Sequence, residues 1–273
     1  MPKIAVLQMN SGIDLEANLK DITRAAKKAA AEGAAVLFTP EMSVLLDRDR
    51  QRAARWITED WRQHVEDELS IAAAKLQIDI ALGSMPVPSW GDKSANQSQY
   101  FRQDNQGPIT YDKIHMFDVD LASGESWRES NAYQPGRAVV TVDGTPLGRL
   151  GLTICYDLRF PALFEELGKR RCDCIAVPAA FTRPTGAAHW HILLRARAIE
   201  AQAFVVAAAQ VGLHADGRET YGHSLVVDPW GEVLLDMGGE EAGLAFCDID
   251  LARIAEVRAQ IPALANRREI PKS

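Results

Sequence analysis

Short, wholly apolar runs alternate along the chain with stretches where apolar residues recur every three or four positions. Ile4–Met9 has the first pattern and predicts a buried strand. Leu15, Leu19, Ile22 and Ala26 then return at helical spacing, and Gly33 is placed to stop that helix. Ala35–Phe38 is a second buried strand ending at Thr39-Pro40-Glu41. Thr58–Leu76 predicts a helix and Ile78–Gly83 a strand. A further helix is expected around His189–Gln202, between strand runs at Cys174–Val177 and Phe204–Ala208.

Hairpins interrupt this alternation. Asp104-Asn105-Gln106-Gly107 lies between Tyr100–Gln103 and Ile109–Tyr111, and Asp143–Gly148 lies between Ala138–Val142 and Arg149–Ile154. Asp228-Pro229-Trp230-Gly231 is a third turn, and Leu251, Ile254 and Val257 suggest a short helix near the end. Strand–helix alternation with hairpins points to an α/β fold with mixed rather than purely parallel sheets. With no repeat and no low-complexity linker, residues 1–273 are expected to form a single domain.

The net charge of −7 disfavours binding to a nucleic-acid backbone, which requires a basic face. It leaves room for an anionic small substrate, because a few local cations outweigh a global sign. No apolar run approaches the roughly 20 residues that span a bilayer, so no membrane partner is expected. Met1–Gln8 enters a strand without the pattern of a secretory signal, and four dispersed cysteines suit a reducing compartment; the expected location is cytoplasmic.

Candidate chemistry concentrates in Gly151–Pro161. An apolar strand delivers Cys155 to a turn, and Pro161 suits the first turn of a helix. A thiol exposed at such a place meets the positive end of a helix, which would lower its pKa. On spacing alone, a buried structural cysteine fits as well. None of the six histidines is marked by its position as the partner of Cys155. Glu41 ends a buried strand, where α/β folds keep their ligand sites. Lys113 follows a hairpin strand and, taken alone, reads as a solvated lysine. Cys-x-x-Cys, His-Glu-x-x-His and Gly-x-x-x-x-Gly-Lys patterns are absent, so neither a metal nor a nucleotide cofactor is implied.

Glu41, Lys113 and Cys155, in this order and these settings, resemble the Glu–Lys–Cys triad of the nitrilase superfamily of carbon–nitrogen hydrolases. The resemblance is carried by Phe38-Thr39-Pro40-Glu41, Tyr111–Asp118, the Cys155 turn and Ala188–Glu200, and it extends through Tyr221-Gly222-His223-Ser224 and Asp228-Pro229-Trp230-Gly231. It implies a four-layer α-β-β-α sandwich of two mixed sheets, commonly dimerised through helices. It implies that Glu41 is the general base, Cys155 the nucleophile and Lys113 the stabiliser of the tetrahedral intermediate. Glu129, in Glu129–Gly136, matches a second family glutamate expected to orient Lys113 and assist the leaving amine. The backbone N–H of Tyr156 is expected to add oxyanion support. Asp157 and Arg159 are expected to organise the turn through local hydrogen bonds.

Within the superfamily, Trp190–Glu200 followed by Ala207-Ala208-Ala209-Gln210 is most similar to amidases that cut the γ-amide of deaminated glutathione, releasing 2-oxoglutarate and cysteinylglycine. An ω-amidase acting on 2-oxoglutaramate is the nearest alternative; a nitrilase, an N-carbamoyl hydrolase and a non-catalytic binding module stand further off. An anionic substrate needs cationic partners, and Arg183, in a loop expected at Phe181–Gly186, is the candidate. Leu121-Ala122-Ser123 stands where relatives often carry proline, so the loop 124–131 is expected to shape the pocket in its own way.

Overall fold

The computed structural model describes residues 1–120, 124 and 126–271; Leu121-Ala122-Ser123 lies outside them. The strands are β1 (Lys3–Gln8), β2 (Val36–Phe38), β3 (Asp79–Pro88), β4 (Ser94–Phe101), β5 (Ile109–Asp112), β6 (Asp118–Asp120), β7 (Ser126–Arg128) and β8 (Tyr133–Gln134). They continue with β9 (Thr141–Thr145), β10 (Gly148–Leu152), β11 (Cys174–Ala176), β12 (Phe204–Ala207), β13 (Val211–Leu213), β14 (Glu219–Tyr221), β15 (Leu225–Val227), β16 (Val233–Asp236) and β17 (Gly243–Asp248). The helices are α1 (Leu15–Ala31), α2 (Arg50–Ala53), α3 (Glu59–Leu76), α4 (Pro161–Lys169), α5 (Arg183–Ala201), α6 (Ala252–Gln260) and α7 (Ala263–Asn266).

Two sheets form the centre. One has the order β17-β1-β2-β3-β4-β5, with β8 added against β4; the other runs β16-β15-β12-β11-β10-β9. Each places three parallel strands in the middle, β1-β2-β3 and β10-β11-β12, and flanks them with antiparallel neighbours. The hairpins β3-β4 and β9-β10, with the long-range pairings β1–β17 and β12–β15, are what makes the sheets mixed.

The period of two along each strand separates the layers. In β1, Ile4 and Val6 pack into the core shared with the second sheet, while Ala5 and Leu7 pack into the core beneath α1 and α3. Val36 and Phe38 face the first of these cores and Leu37 the second. Such strands bury both faces, which is why they appear in the sequence as unbroken apolar runs. On the far side, Leu163, Phe164 and Leu167 of α4 and Trp190, Leu194 and Ala198 of α5 cover the second sheet. The result is the four-layer α-β-β-α sandwich that the resemblance implies.

Helix α1 buries Leu15, Leu19, Ile22 and Ala26, is capped by Asp14, whose side chain accepts from the Ala17 N–H, and stops before Gly33 at φ +76°. Helix α5 differs from its expectation. It starts at Arg183, six residues before His189, because Pro184 fits its first turn and Thr182 precedes it in extended conformation. The segment expected as a loop is thus the opening turn of the helix.

Candidate active site

The parallel strands of both sheets run toward a common end, and the chemistry-bearing side chains leave from there. Glu41 follows β2 on a tight turn. Pro40 O accepts from Ser84 N at 3.2 Å, Met42 N donates to Ser84 Oγ at 2.9 Å, and Gln210 Nε2 donates to Glu41 O at 3.0 Å. The turn presses so closely on β3 that a Cβ on Gly83 would lie 2.1 Å from Thr39 O; only glycine fits.

Lys113 continues from β5. Its N–H donates to Asn96 O at 2.9 Å and its carbonyl accepts from Gly136 N at 2.7 Å. A Cβ on Gly136 would sit 2.0 Å from Asp112 O, which accounts for the glycine of the Pro135-Gly136 pair. Glu129 opens a short 3-10 turn after β7, with its N–H on Phe117 O.

Cys155 follows β10 with φ +46°, a left-handed conformation that costs a non-glycine residue on the order of 1–3 kcal/mol. Its N–H donates to Pro178 O at 2.8 Å, joining the turn to the segment that leaves β11. Asp157, fully buried, holds this turn and the Lys113 segment together. One carboxylate oxygen accepts from Ile154 N at 2.9 Å and Tyr111 Oη at 2.7 Å; the other meets His115 N at 3.1 Å and His115 Nδ1 at 2.7 Å. His115 is thereby engaged with Asp157 and stacked on Phe160, a structural placement.

The expected four residues form one cluster. Lys113 Nζ donates to Glu41 Oε1 at 2.9 Å and to both oxygens of Glu129 at 2.9 Å. Phe117 N also donates to Glu129 Oε2, and Ala180 N to Glu41 Oε2. Exposure falls to 5% for Glu41, 2% for Lys113 and 8% for Cys155, so these charges act on one another with little screening by water. Burial works against the Lys113 ammonium, but Glu129 and Glu41 outweigh it and hold its pKa well above the usual lysine value.

The thiol departs from expectation. Burial, reinforced by the Glu41 carboxylate, pushes Cys155 well above the ordinary thiol range, while Lys113 and the Ala180 N–H pull only partly back. A dry site beside a carboxylate dominates over the cation and the short turn. The resting group is a thiol, and a thiolate requires a proton acceptor.

Three placements were not legible in advance. Asn96, in the buried strand β4, donates Nδ2 to Glu41 Oε1 at 3.0 Å and to Glu129 Oε1 at 3.3 Å, tying the carboxylates together. The signal available was an asparagine in a strand otherwise destined for burial. Arg159 does not brace the turn: it lines the cavity that opens beside Cys155, its Nη1 lies 3.2 Å from His189 Nδ1, and its guanidinium rests over Phe181 and Tyr156. Arg183 lies outside that cavity lining; its guanidinium pairs with Glu219 at 2.7 Å and Glu240 at 3.7 Å. Its position at the start of α5 turns it toward those acids, so its charge is already satisfied.

The cavity measures about 820 Å³. Glu41, Lys113, Glu129, Cys155 and Tyr156 line it, with Arg48, Lys93, Arg159 and Arg218 among the cations and Trp127, Tyr133 and Phe181 among the rings. Burial, then Glu129, raise the Tyr133 hydroxyl to about 12, which keeps it protonated. Ser126–Arg128 and Glu129 belong to the lining, so the loop 124–131 does shape the pocket. Among the described residues, no helix is long and apolar enough to cross a membrane.

Comparison with known proteins identifies the family. Residues 3–259 match the carbon-nitrogen hydrolase family. A deaminated glutathione amidase of Yersinia enterocolitica is 39% identical over 97% of this chain and 92% of its own length. Among solved structures, the NitFhit protein of C. elegans superposes with a TM-score of 0.89 at 35% identity, covering 98% of this chain, which spans 65% of that longer one. Saccharomyces cerevisiae Nit3, a member of branch 10 of the nitrilase superfamily, gives 0.85 at 28% identity over 98% and 97% of the two chains. The chain belongs to the carbon–nitrogen hydrolase family of the nitrilase superfamily and is a hydrolase of carbon–nitrogen bonds other than peptide bonds.

Proposed function

We propose that the chain is an amidase whose nucleophile is Cys155, acting on the γ-amide of deaminated glutathione. The observation that carries the reading is the single buried cluster in which Lys113 bridges Glu41 and Glu129 beside the thiol, at the edge of a cation-lined cavity.

Glu41 suits the role of base better than Glu129. Both Glu129 oxygens accept from Lys113, and Phe117 N and Asn96 take further lone pairs. Glu41 engages Lys113 and Asn96 through Oε1, leaving Oε2, bound to Ala180 N, free to accept a second proton donor. As the Cys155 sulfur bonds to the amide carbon, its proton passes to Glu41. The carbonyl oxygen becomes an oxyanion held by Lys113 and by the Tyr156 N–H. Glu41 then gives the proton to the amine nitrogen, the C–N bond breaks and a thioester remains. Water, deprotonated by Glu41, attacks that thioester; the acid is released and the proton returns to sulfur. Glu129 positions Lys113.

The cavity cations suit an anionic substrate. Deaminated glutathione carries carboxylates at both ends. Arg159, on the Cys155 turn and paired with no carboxylate among the described residues, suits the 2-oxo acid end. Arg48 and Lys93 suit the glycine end. The relatives named for this activity support the same choice. An ω-amidase substrate, with its single carboxylate, would leave the second group of cations unused.

Three further features belong to the proposal. Residues 1–273 act as one hydrolase domain, since both sheets supply the site. The protein forms a dimer through the outer face of α5, where Ile192 and Ile199 stand exposed beside Trp230. A reducing cytoplasm is the setting, because Cys155 must remain a free thiol.

Kinetics on deaminated glutathione, 2-oxoglutaramate, a simple nitrile and an N-carbamoyl amino acid test the reading. The expected order places deaminated glutathione first in kcat/KM. Preference for the nitrile or the carbamoyl compound would overturn it.

A further inference from the structure

A second group of chemistry-bearing side chains stands apart from the cavity. His191 on α5, His223 between β14 and β15, and Asp236 at the end of β16 bring one ligand atom each to within 4.8 Å of one another. His191 Nε2 lies 3.0 Å from Asp236 Oδ2; His223 Nδ1 lies 2.9 Å from Oδ1 and 3.2 Å from Oδ2. None of the three lines the cavity. No short motif announces the group, because its members come from three separate segments.

We propose that His191, His223 and Asp236 form a binding site for a borderline divalent transition cation such as Zn²⁺. Two imidazole nitrogens and one carboxylate oxygen are a donor set that suits this class of ion rather than Mg²⁺ or Ca²⁺, which favour oxygen alone. Ligands at about 2.0–2.2 Å in a tetrahedron stand roughly 3.3–3.6 Å apart. The Asp236–His separations lie a few tenths of an ångström inside that spacing, and rotation of the half-exposed His191 about its side-chain bonds adjusts the rest.

The site is built rather than incidental. His223 holds φ +53°, a left-handed conformation that is uncommon for a non-glycine residue. Its N–H donates to Gly238 O at 2.8 Å, its carbonyl accepts from Trp190 Nε1 at 2.8 Å, and its ring stacks on Tyr221 at 4.4 Å. Asp236 is fixed by the Gly238 N–H at 2.9 Å. Two of the three ligands are therefore pre-oriented by neighbouring backbone and by the Tyr221 ring, as supporting shells do in metal sites. A cation here would clip the middle of α5 to the β14–β15 turn. Residues Thr182 and Thr185 of the α5 entry and Glu219 and Thr220 of β14 line the cavity, so the clip would rigidify two of its walls.

The test uses the full-length protein, stripped with a chelator and titrated with Zn²⁺ by calorimetry, with Tm followed in parallel. One saturable site per chain and a raised Tm are expected. His191→Ala, at a half-exposed position away from the amidase cluster, should weaken binding at least about tenfold and abolish the Tm rise while leaving amidase turnover unchanged. Co²⁺ substitution separates this site from zinc captured by Cys155: nitrogen–oxygen ligation gives visible bands without a thiolate charge-transfer band. Absence of saturable binding, equal binding by His191→Ala, or a thiolate band that carries all of the signal would overturn the proposal.

Discussion

The cluster around Lys113 and the cations of the cavity lining are both collections of charge, yet they are assembled under different rules. Around Lys113 each charged group is buried or nearly so and its hydrogen bonds are met: one ammonium takes two carboxylates, and Asn96 and two backbone N–H groups complete the acceptors. In the lining, Arg48 and Arg159 are paired with no carboxylate among the described residues, and Arg50 is engaged only by the Asn131 carbonyl. A buried network must be complete, because an orphaned charge there costs several kcal/mol. A wet lining tolerates unpaired cations and keeps them for a ligand. On the proposed reading, the first region sets the chemistry and the second sets which amide is brought to it.

Substitutions should separate the two regions in order of magnitude. Cys155→Ala is expected to reduce kcat by about 10⁴-fold or more, with circular dichroism and Tm near those of the parent. It removes the nucleophile and leaves the left-handed turn with the same non-glycine strain, so stability should change little.

Lys113→Met comes next, at about 10²–10³-fold in kcat, the usual cost of losing a principal oxyanion stabiliser. Unlike the cysteine variant, it should also destabilise the fold by about 3–5 kcal/mol in denaturant titrations, because two carboxylates lose their shared cation. A stable, fully folded Lys113→Met would show that the network is not as tightly balanced as its geometry indicates.

Arg159→Ala addresses the lining. KM for deaminated glutathione should rise roughly tenfold, about 1.4 kcal/mol, with little change for a neutral amide. Arg183→Ala should leave both unchanged, since Glu219 and Glu240 already hold that guanidinium. Equal losses on charged and neutral amides for Arg159→Ala would remove it from recognition.

The smallest effect concerns pH. His214 sits between Ser11 O and Thr220 Oγ1, and burial lowers its pKa from 6.5. Its neutral form is the folded form, so the stability it contributes is fully present above 6.5 and is lost as pH falls through and below that value. Tm should decline on acidification from pH 7 to 5, and His214→Gln should make that decline shallower.

How much of this was legible in the sequence depended on the distance over which each signal acts. The runs of β1 and β2 and the spacing of α1 are local patterns, and they predicted their elements within a residue or two. The start of α5 was missed because His189–Gln202 carries the stronger apolar pattern, while its first six residues are held by Pro184 and the cap geometry. Cys155 and Glu41 stood out by their places at strand ends, but their roles, and Lys113 and Glu129 as their partners, were visible only through family resemblance. Their convergence is a property of two sheets meeting, and no spacing along the chain encodes it. Arg159 and Arg183 both lie elsewhere than expected for the same reason: Arg159 lines the cavity and Arg183 pairs with acids outside it. An arginine is read as free or paired only once its neighbours in space are known, and Glu219 lies 36 residues from Arg183. The direction of the Cys155 pKa likewise depends on burial beside Glu41, which the turn alone does not reveal.

The most direct test of the account is to mix the enzyme with deaminated glutathione, quench with acid within one turnover and weigh the intact chain. The account predicts a 2-oxoglutaryl adduct that maps to Cys155 by peptide sequencing, is cleared by hydroxylamine and is missing from Cys155→Ala. An adduct on any other residue, or full turnover by Cys155→Ala, would contradict it.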